Sequence, residues 1–449
     1  MSAAAAGRPW KRALAWLALL GPFFYLSYGF ANAMAARRGD VPSVVFGWEH
    51  AVPFLAWTIL PYWTTNLFYA VSVFVCRDRA ELDTHARRLL TAQVLSVACF
   101  LLWPLAFSFQ RPPVDGAFGA MFAALESFDR PYNQAPSLHV ALTVVLWTLY
   151  ARHLRGGWRI ALHAWFALVC ASVLTTWQHH FVDLPTGLAA GWLCVWLWPR
   201  AATPPWRGAR WARDPARWRL AATYLTGAAA CAALGTLGGG VWLWLWWPAL
   251  SLALVAADYA LLGAGGFQKR ADGRLSLAAR WLYAPYLAAA WLNSRAWTRR
   301  QPVPVEVADG VWLGRIPGRG AREDFAVVDV CAELSLPGGA RAGDRVVPML
   351  DLVAPGPARL REAAAAIARA RRRGPVLACC ALGYSRSALA VAAWLLLDGR
   401  AADPDEAVAR VRAARPRIVL RAAHRRALAA LAEPPPARPG AAPAAEPAR

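Results

Sequence analysis

Eight stretches of mostly apolar residues run through the first 264 positions, at 13–34, 51–76, 89–109, 137–151, 160–178, 181–199, 219–237 and 241–264. A bilayer crossing needs about 20 such residues, and the series fits repeated crossing better than any water-soluble core. The fourth stretch is short and opens on a polar motif. The first has no small-residue cleavage site and reads as a span rather than a cleaved leader. Composition agrees: the chain is 58% hydrophobic and 17% charged, where soluble domains carry about 25% charged residues. Its 25 tryptophans suit membrane–water interfaces. A single soluble enzyme and a disordered chain are both excluded.

The net charge of +22 at first suggests a polyanion partner. Only Lys11 and Lys269 are lysines among the 49 basic residues, so the excess is an arginine bias, and no nucleic-acid partner is expected. The positions of the arginines are more informative. With the N-terminus in the cytoplasm, the segments 1–12, 77–88, 152–159, 200–219 and 265–275 hold 19 basic residues. The opposite loops 35–50, 111–136, 179–180 and 238–240 hold 4. The positive-inside rule fixes that orientation. The expected location is a bacterial inner membrane, with the N-terminus and the C-terminal region in the cytoplasm.

Residues 275–299 are apolar but carry Arg280, Pro285, Asn293 and Arg295. They read as an interfacial amphipathic segment; the alternative is a ninth span, which would place everything after it outside. From residue 303 the apolar runs shorten to strand length at 325–330, 345–350 and 375–380. Helical patterns occupy 357–372, 386–398, 404–415 and 421–432. Strands alternating with helices predict a soluble α/β domain. The expected organisation is 1–200 (a six-helix membrane domain), 201–302 (two further spans and the interfacial segment), 303–433 (the α/β domain) and 434–449 (a disordered tail).

The eight cysteines show no CxxC or metal-ligand spacing, and no metal or organic cofactor is implied. Cys380 stands at the end of an expected strand. A loop containing Gly383 follows, and Arg386 opens an expected helix. Such a loop turns successive N–H groups toward an anion, and the helix N-terminus adds partial positive charge. The same field favours a thiolate, and Arg386 can grip a phosphoryl group bidentately.

The pattern Cys380-x5-Arg386-Ser387 resembles the signature of the cysteine-dependent protein tyrosine and dual-specificity phosphatases. The likeness covers roughly 303–432, including Glu406-Ala407-Val408 and Arg415-Pro416. It implies that Cys380 attacks phosphorus, Arg386 binds the equatorial oxygens and Ser387 helps the thiolate leave. It implies a general acid after an upstream strand, at Asp351, with Asp344 as the runner-up. One departure is Cys379, which stands where the family usually has His. A cytoplasmic, reducing location suits this chemistry.

A second constellation lies at the span ends on the non-cytoplasmic face: Arg111-Pro112, Pro136-Ser137-x-His139 and His179-x3-Asp183. His and carboxylate groups near hydrocarbon mark function. At i, i+4 on one helix face, Asp183 can hold one nitrogen of His179 and direct the other. This resembles the type 2 phosphatidic acid phosphatase superfamily over about 50–200. The resemblance implies a phosphohistidine at His179, orientation by Asp183, protonation of the leaving alcohol by His139, and phosphate contacts from Arg111 and Ser137. His180 reads as a neighbour, and His50, His85, His153 and His163 as carrying no chemistry. Three cage positions depart from that pattern, at Pro104, Leu138 and Val173. The reduced set is similar to the sphingomyelin and inositol-phosphorylceramide synthase branch, so hydrolysis and headgroup transfer both stand.

The expected fold is therefore multi-domain: an all-α polytopic membrane domain followed by a soluble α/β cysteine-phosphatase domain. The expected function is a two-headed membrane enzyme acting on phospholipid or sphingolipid phosphoesters. The loop after Cys380, ALGYS, has no Lys or Arg, which favours a singly phosphorylated headgroup over a polyphosphorylated inositide. The alternative is a protein phosphatase whose membrane part anchors or senses. A transporter is disfavoured, because the intramembrane charges form no chain across the spans.

Overall fold

The computed structural model describes residues 8–318, 320 and 324–432, and the chain divides into two compact units. The expected tail at 434–449 lies outside the described residues. The first unit comprises residues up to 209 with 225–253 and 277–284. The second comprises 210–224, 254–276 and the residues from 285 onward.

The helices run in order α1 (Trp10–Ala36), α2 (Ile59–Val75), α3 (Arg79–Leu102), α4 (Gly116–Glu126), α5 (Leu138–His153), α6 (Gly156–Thr175), α7 (Asp183–Leu197), α8 (Pro215–Gly238), α9 (Trp246–Ala257), α10 (Leu277–Leu282) and α11 (Ala284–Trp297). Four helical stretches are long and apolar enough to cross a membrane: Trp10–Ala36, Gly156–Thr175, Pro215–Gly238 and Gly240–Phe267. Others among the eight expected spans form shorter helices. α2 has 17 residues, α5 has 16 and α7 has 15. α3 is long but carries Glu81, Asp83, Arg87 and Arg88 in its first half. The 275–299 segment breaks at Tyr283 into helices of 6 and 14 residues, because Pro285 lacks an N–H and fits only a first turn. Neither piece has the length of a crossing.

In the first unit α5 is almost wholly buried and packs against α2, α3, α6 and α7. Its contact with α7 is close because of two glycines. A Cβ on Gly187 would lie 2.7 Å from the Ser137 carbonyl oxygen, and one on Gly191 would lie 2.6 Å from Val144 Cβ. Small residues one helical turn apart let two helix backbones approach. That approach brings the start of α7 to the start of α5.

The second unit holds a five-stranded sheet of β1 (Val305–Ala308), β2 (Val311–Arg315), β3 (Ala326–Cys331), β4 (Arg345–Met349) and β5 (Val376–Cys380). The spatial order is β1-β2-β5-β3-β4; β1 and β2 are antiparallel and the other pairs parallel. Four helices complete it: α12 (Pro357–Arg371), α13 (Arg386–Leu397), α14 (Pro404–Ala414) and α15 (Ala422–Ala432). Strands β3 to β5 and all four helices lie within two residues of their expected bounds. The β1–β2 hairpin was not expected. Its turn is Asp309-Gly310, both at positive φ (42° and 74°), a strong hairpin signal. β5 is buried throughout, as a central parallel strand must be.

Candidate active sites

In the second unit β5 ends at Cys380 between β2 and β3, and Arg386 opens α13. The loop between them is pressed onto β2. The Ile316 amide donates to the Cys380 carbonyl at 2.6 Å, and Gly383 has φ +78°, where a Cβ would meet the Gly314 carbonyl carbon at 2.5 Å. Only glycine fits both that conformation and that space. The Cys380 sulfur accepts from the Gly383 amide and from the Ser387 hydroxyl, each at 3.2 Å. The two donors converge on the sulfur at the N-terminus of α13. Neighbouring Cys379 is fully buried, and burial followed by the nearby Asp329 carboxylate pushes its thiol well above the ordinary value. It stays a neutral thiol beside Cys380.

Arg386 is paired with Glu333, a residue that the sequence reading did not mark. Nη1 and Nη2 each donate to a Glu333 oxygen at 2.6 Å, and Nη1 also donates to the Met349 carbonyl at 3.0 Å. Burial opposes the Arg386 charge, but Asp351 and Glu333 more than offset it and keep the guanidinium protonated. Burial alone would raise the Glu333 carboxyl; the charge and hydrogen bonds of Arg386 hold it below the usual glutamate value. Nε of Arg386 lies 3.2 Å from Asp351 Oδ1 but makes no aligned hydrogen bond.

The two acid candidates separate cleanly. Asp351 keeps its side chain a quarter exposed beside Arg386. Asp344 is buried, and its two oxygens accept the Val327 and Arg341 amides at 2.7 Å each. It holds a turn. His424, also unmarked, lies with Nε2 3.4 Å from the Ser385 hydroxyl. Its Nδ1 accepts the Arg421 amide, which leaves the proton on Nε2. Burial and Arg421 lower its pKa.

In the first unit His179 and Asp183 do meet, but not on one helix face as expected. α6 stops at Thr175, His179 lies in the turn that follows, and Asp183 is the first residue of α7. His179 Nδ1 lies 3.0 Å from Asp183 Oδ2, which also accepts the His180 amide at 3.2 Å. As an acceptor, the carboxylate places the imidazole proton on Nδ1. Nε2 then carries the free lone pair, 3.4 Å from the Ser137 hydroxyl. Ser137 also caps α5 through the Val140 amide. His139 stacks on Tyr62 at 4.0 Å, and its Nε2 lies 2.9 Å from the Thr65 hydroxyl.

Arg111 pairs with Glu126 at 3.2 Å and lies over Phe122. With its amide oriented to face Arg111, Gln178 accepts from both terminal nitrogens at 3.0 and 3.2 Å. Asp129 accepts from the Tyr28 hydroxyl at 2.7 Å. Burial raises its pKa, against the Tyr28 hydrogen bond and the fields of His179 and Arg111. His180 is fully engaged. Nε2 accepts the Ser108 amide at 3.1 Å, so its proton sits on Nδ1 and goes to Glu49 at 3.1 Å. Glu49 and Asp129 escaped the sequence reading, since both lie in loops with other charged residues and no motif sets them apart.

All eight cysteines are free. Among the described residues no three His, Cys, Asp or Glu side chains converge as a metal set.

No family model and no curated protein matches the chain. Solved structures overlap a part of it. Tk-PTP in its active form is 29% identical over 29% of this chain and 97% of its own, with a TM-score of 0.27. Human DUSP28 is 28% identical over 28% of this chain and 90% of its own, at 0.25. PTPMT1 in complex with PI(5)P is 19% identical over 28% of this chain and 92% of its own, at 0.25.

Proposed function

We propose that the protein is a membrane-tethered phosphatase that hydrolyses phosphomonoesters through a phosphocysteine at Cys380. The observation that carries this is the pair of 3.2 Å hydrogen bonds to the Cys380 sulfur from Gly383 and Ser387, at the N-terminus of the helix that Arg386 opens. Backbone N–H groups of the loop and Nε of Arg386 suit three phosphoryl oxygens. The Cys380 thiolate attacks phosphorus, forming the S–P bond as the P–O bond to the leaving group breaks. Asp351, as the general acid, gives a proton to the departing oxygen. Water then attacks the phosphocysteine and gives its proton back to Asp351. The S–P bond breaks to inorganic phosphate, and Ser387 stabilises the thiolate that leaves. Placed on the cytoplasmic side after the last span, this site acts on singly phosphorylated lipid headgroups.

The test uses the full chain in detergent micelles with an aryl phosphate. Cys380→Ser is expected to abolish turnover; retained turnover would sink the assignment.

A second activity is favoured by a separate observation, the 3.0 Å contact of His179 with Asp183 that turns Nε2 toward the Ser137 hydroxyl. In this reading His179 takes a phosphoryl group from a lipid phosphoester at the non-cytoplasmic face. His139 protonates the leaving alcohol, Arg111 steadies the phosphate, and water or a second lipid alcohol accepts the group. His179→Ala assayed with phospholipid vesicles separates this from a purely anchoring membrane part: unchanged lipid turnover means an anchor.

A further inference from the structure

Asp351 stands in a turn that something must hold. Leu352, directly after it, has φ +60°, a left-handed conformation that costs a side-chain-bearing residue about 1 kcal/mol or more. Such a conformation persists only where surrounding contacts impose it. The contact is made from outside the α/β fold: the Tyr259 hydroxyl donates to the Asp351 carbonyl at 3.0 Å.

Tyr259 is itself immobilised. It is 1% exposed, and its ring stacks on Tyr224 at 5.5 Å and 14°. Arg217 donates to the carbonyls of Tyr259 and Asp258 at 2.8 and 3.1 Å. Tyr224 in turn meets Tyr286 edge-on. The same segment, 254–276, reaches the other wall of the site. Lys269 Nζ donates to Asp329 Oδ2 at 2.5 Å and to the carbonyls of Cys331 and Leu334 at 2.6 and 2.7 Å. Those two carbonyls bracket Glu333, the partner of Arg386. An ammonium offers three donors from one point, and here a chain that uses arginine almost everywhere keeps a lysine.

We propose that Tyr259 is a positioning residue for the general acid. By fixing the Asp351 carbonyl it sets the turn so that the carboxyl faces the leaving-group oxygen. It touches no substrate atom and passes no proton. The inference rests on the reading of Asp351 as the acid. It adds that the acid is held by a residue just past α9, in the stretch the sequence reads as the last crossing, so the phosphatase site is incomplete without that segment.

General-acid help matters where the leaving group is a poor one. An aryl phosphate such as p-nitrophenyl phosphate releases a stabilised phenolate; a simple alkyl phosphate such as octyl phosphate must release an alkoxide unless it is protonated. In the full chain, Tyr259→Phe is expected to lower kcat/KM for the alkyl ester by at least about tenfold and for the aryl ester by less than about threefold, since general acids contribute about 10²–10⁴. Asp351→Asn should show the same selectivity, and Tyr259→Phe added to Asp351→Asn should bring no further selective loss. Equal losses on both esters, as from a poorly folded protein, would overturn the proposal. So would no loss on either, or a selective loss that adds to that of Asp351→Asn. Cys380→Ser is run alongside: turnover that survives it removes the phosphocysteine reading itself, whatever Tyr259→Phe does.

Discussion

The guanidinium of Arg386 lies in the carboxylate fork of Glu333, with two hydrogen bonds of 2.6 Å and both side chains buried. The pair presets the arginine, so that its position at the head of α13 is fixed before any phosphate arrives. Removing one partner strands a charge in a dry place. Glu333→Ala is therefore expected to destabilise the second unit by about 3–5 kcal/mol, read by pulse proteolysis in urea. Loss within experimental error of zero would mean that the pair is incidental.

The same pair sets an acid limit. The Glu333 carboxyl is held below its ordinary value, so its contribution is fully present above the unfolded glutamate pKa of about 4.3. It is lost as pH falls through the lower folded value. Wild type and Glu333→Gln should thus differ in stability by a constant amount from neutral pH down to about pH 5, and converge on further acidification. A difference that grew toward acid pH would contradict the direction of the shift.

Gly383→Ala places a Cβ 2.5 Å from the Gly314 carbonyl carbon at a φ of +78°. The clash is with backbone, which cannot swing aside. Loss of about 2 kcal/mol or more, with turnover of an aryl phosphate falling in parallel, is the expected outcome of urea titration and assay.

Ser387→Ala removes one of the two hydrogen bonds to the Cys380 sulfur. The step that suffers is the one in which sulfur leaves as thiolate. Rapid-quench measurement should find a phosphocysteine burst followed by slowed steady-state turnover, by about tenfold or more. Slow formation with no burst would assign Ser387 to the first step instead.

In the first unit, Gly191→Leu drives a side chain into Val144, where even a Cβ would lie 2.6 Å away. Separating α7 from α5 pulls His179 and Asp183 from Ser137. Phospholipid turnover should fall as far as in His179→Ala, while Cys380-dependent hydrolysis of a soluble aryl phosphate persists. Loss of both activities together would mean that the two depend on one another.

Much of the α/β unit was legible in the sequence. The runs FAVVDV and PVLACC are apolar and β-branched, and α12 to α15 carry helical periodicity between clear breaks. Cys380, Gly383, Arg386 and Ser387 are local: one strand, one loop and one helix start bring them together, so spacing alone announces them. The β1–β2 hairpin was missed because its strands are only 4 and 5 residues long, although Asp309-Gly310 signalled the turn. His179 and Asp183 were paired correctly on the wrong local geometry, since the chain leaves α6 at Thr175 and forms the contact across a turn.

What the sequence by itself determined is the alternation of apolar stretches with arginine-rich loops, the change of period near residue 303, and the loop that closes on Cys380. Each depends on neighbours in the chain. Only the tertiary structure decided who holds these groups: Glu333 on Arg386, Tyr259 on the Asp351 turn, Lys269 beneath the Glu333 loop, Glu49 on His180. The partners in these pairs lie 53, 92, 60 and 131 residues apart. Nothing in a local pattern marks such pairs. Their reason is that a buried charge or carbonyl must find a partner wherever the fold brings one.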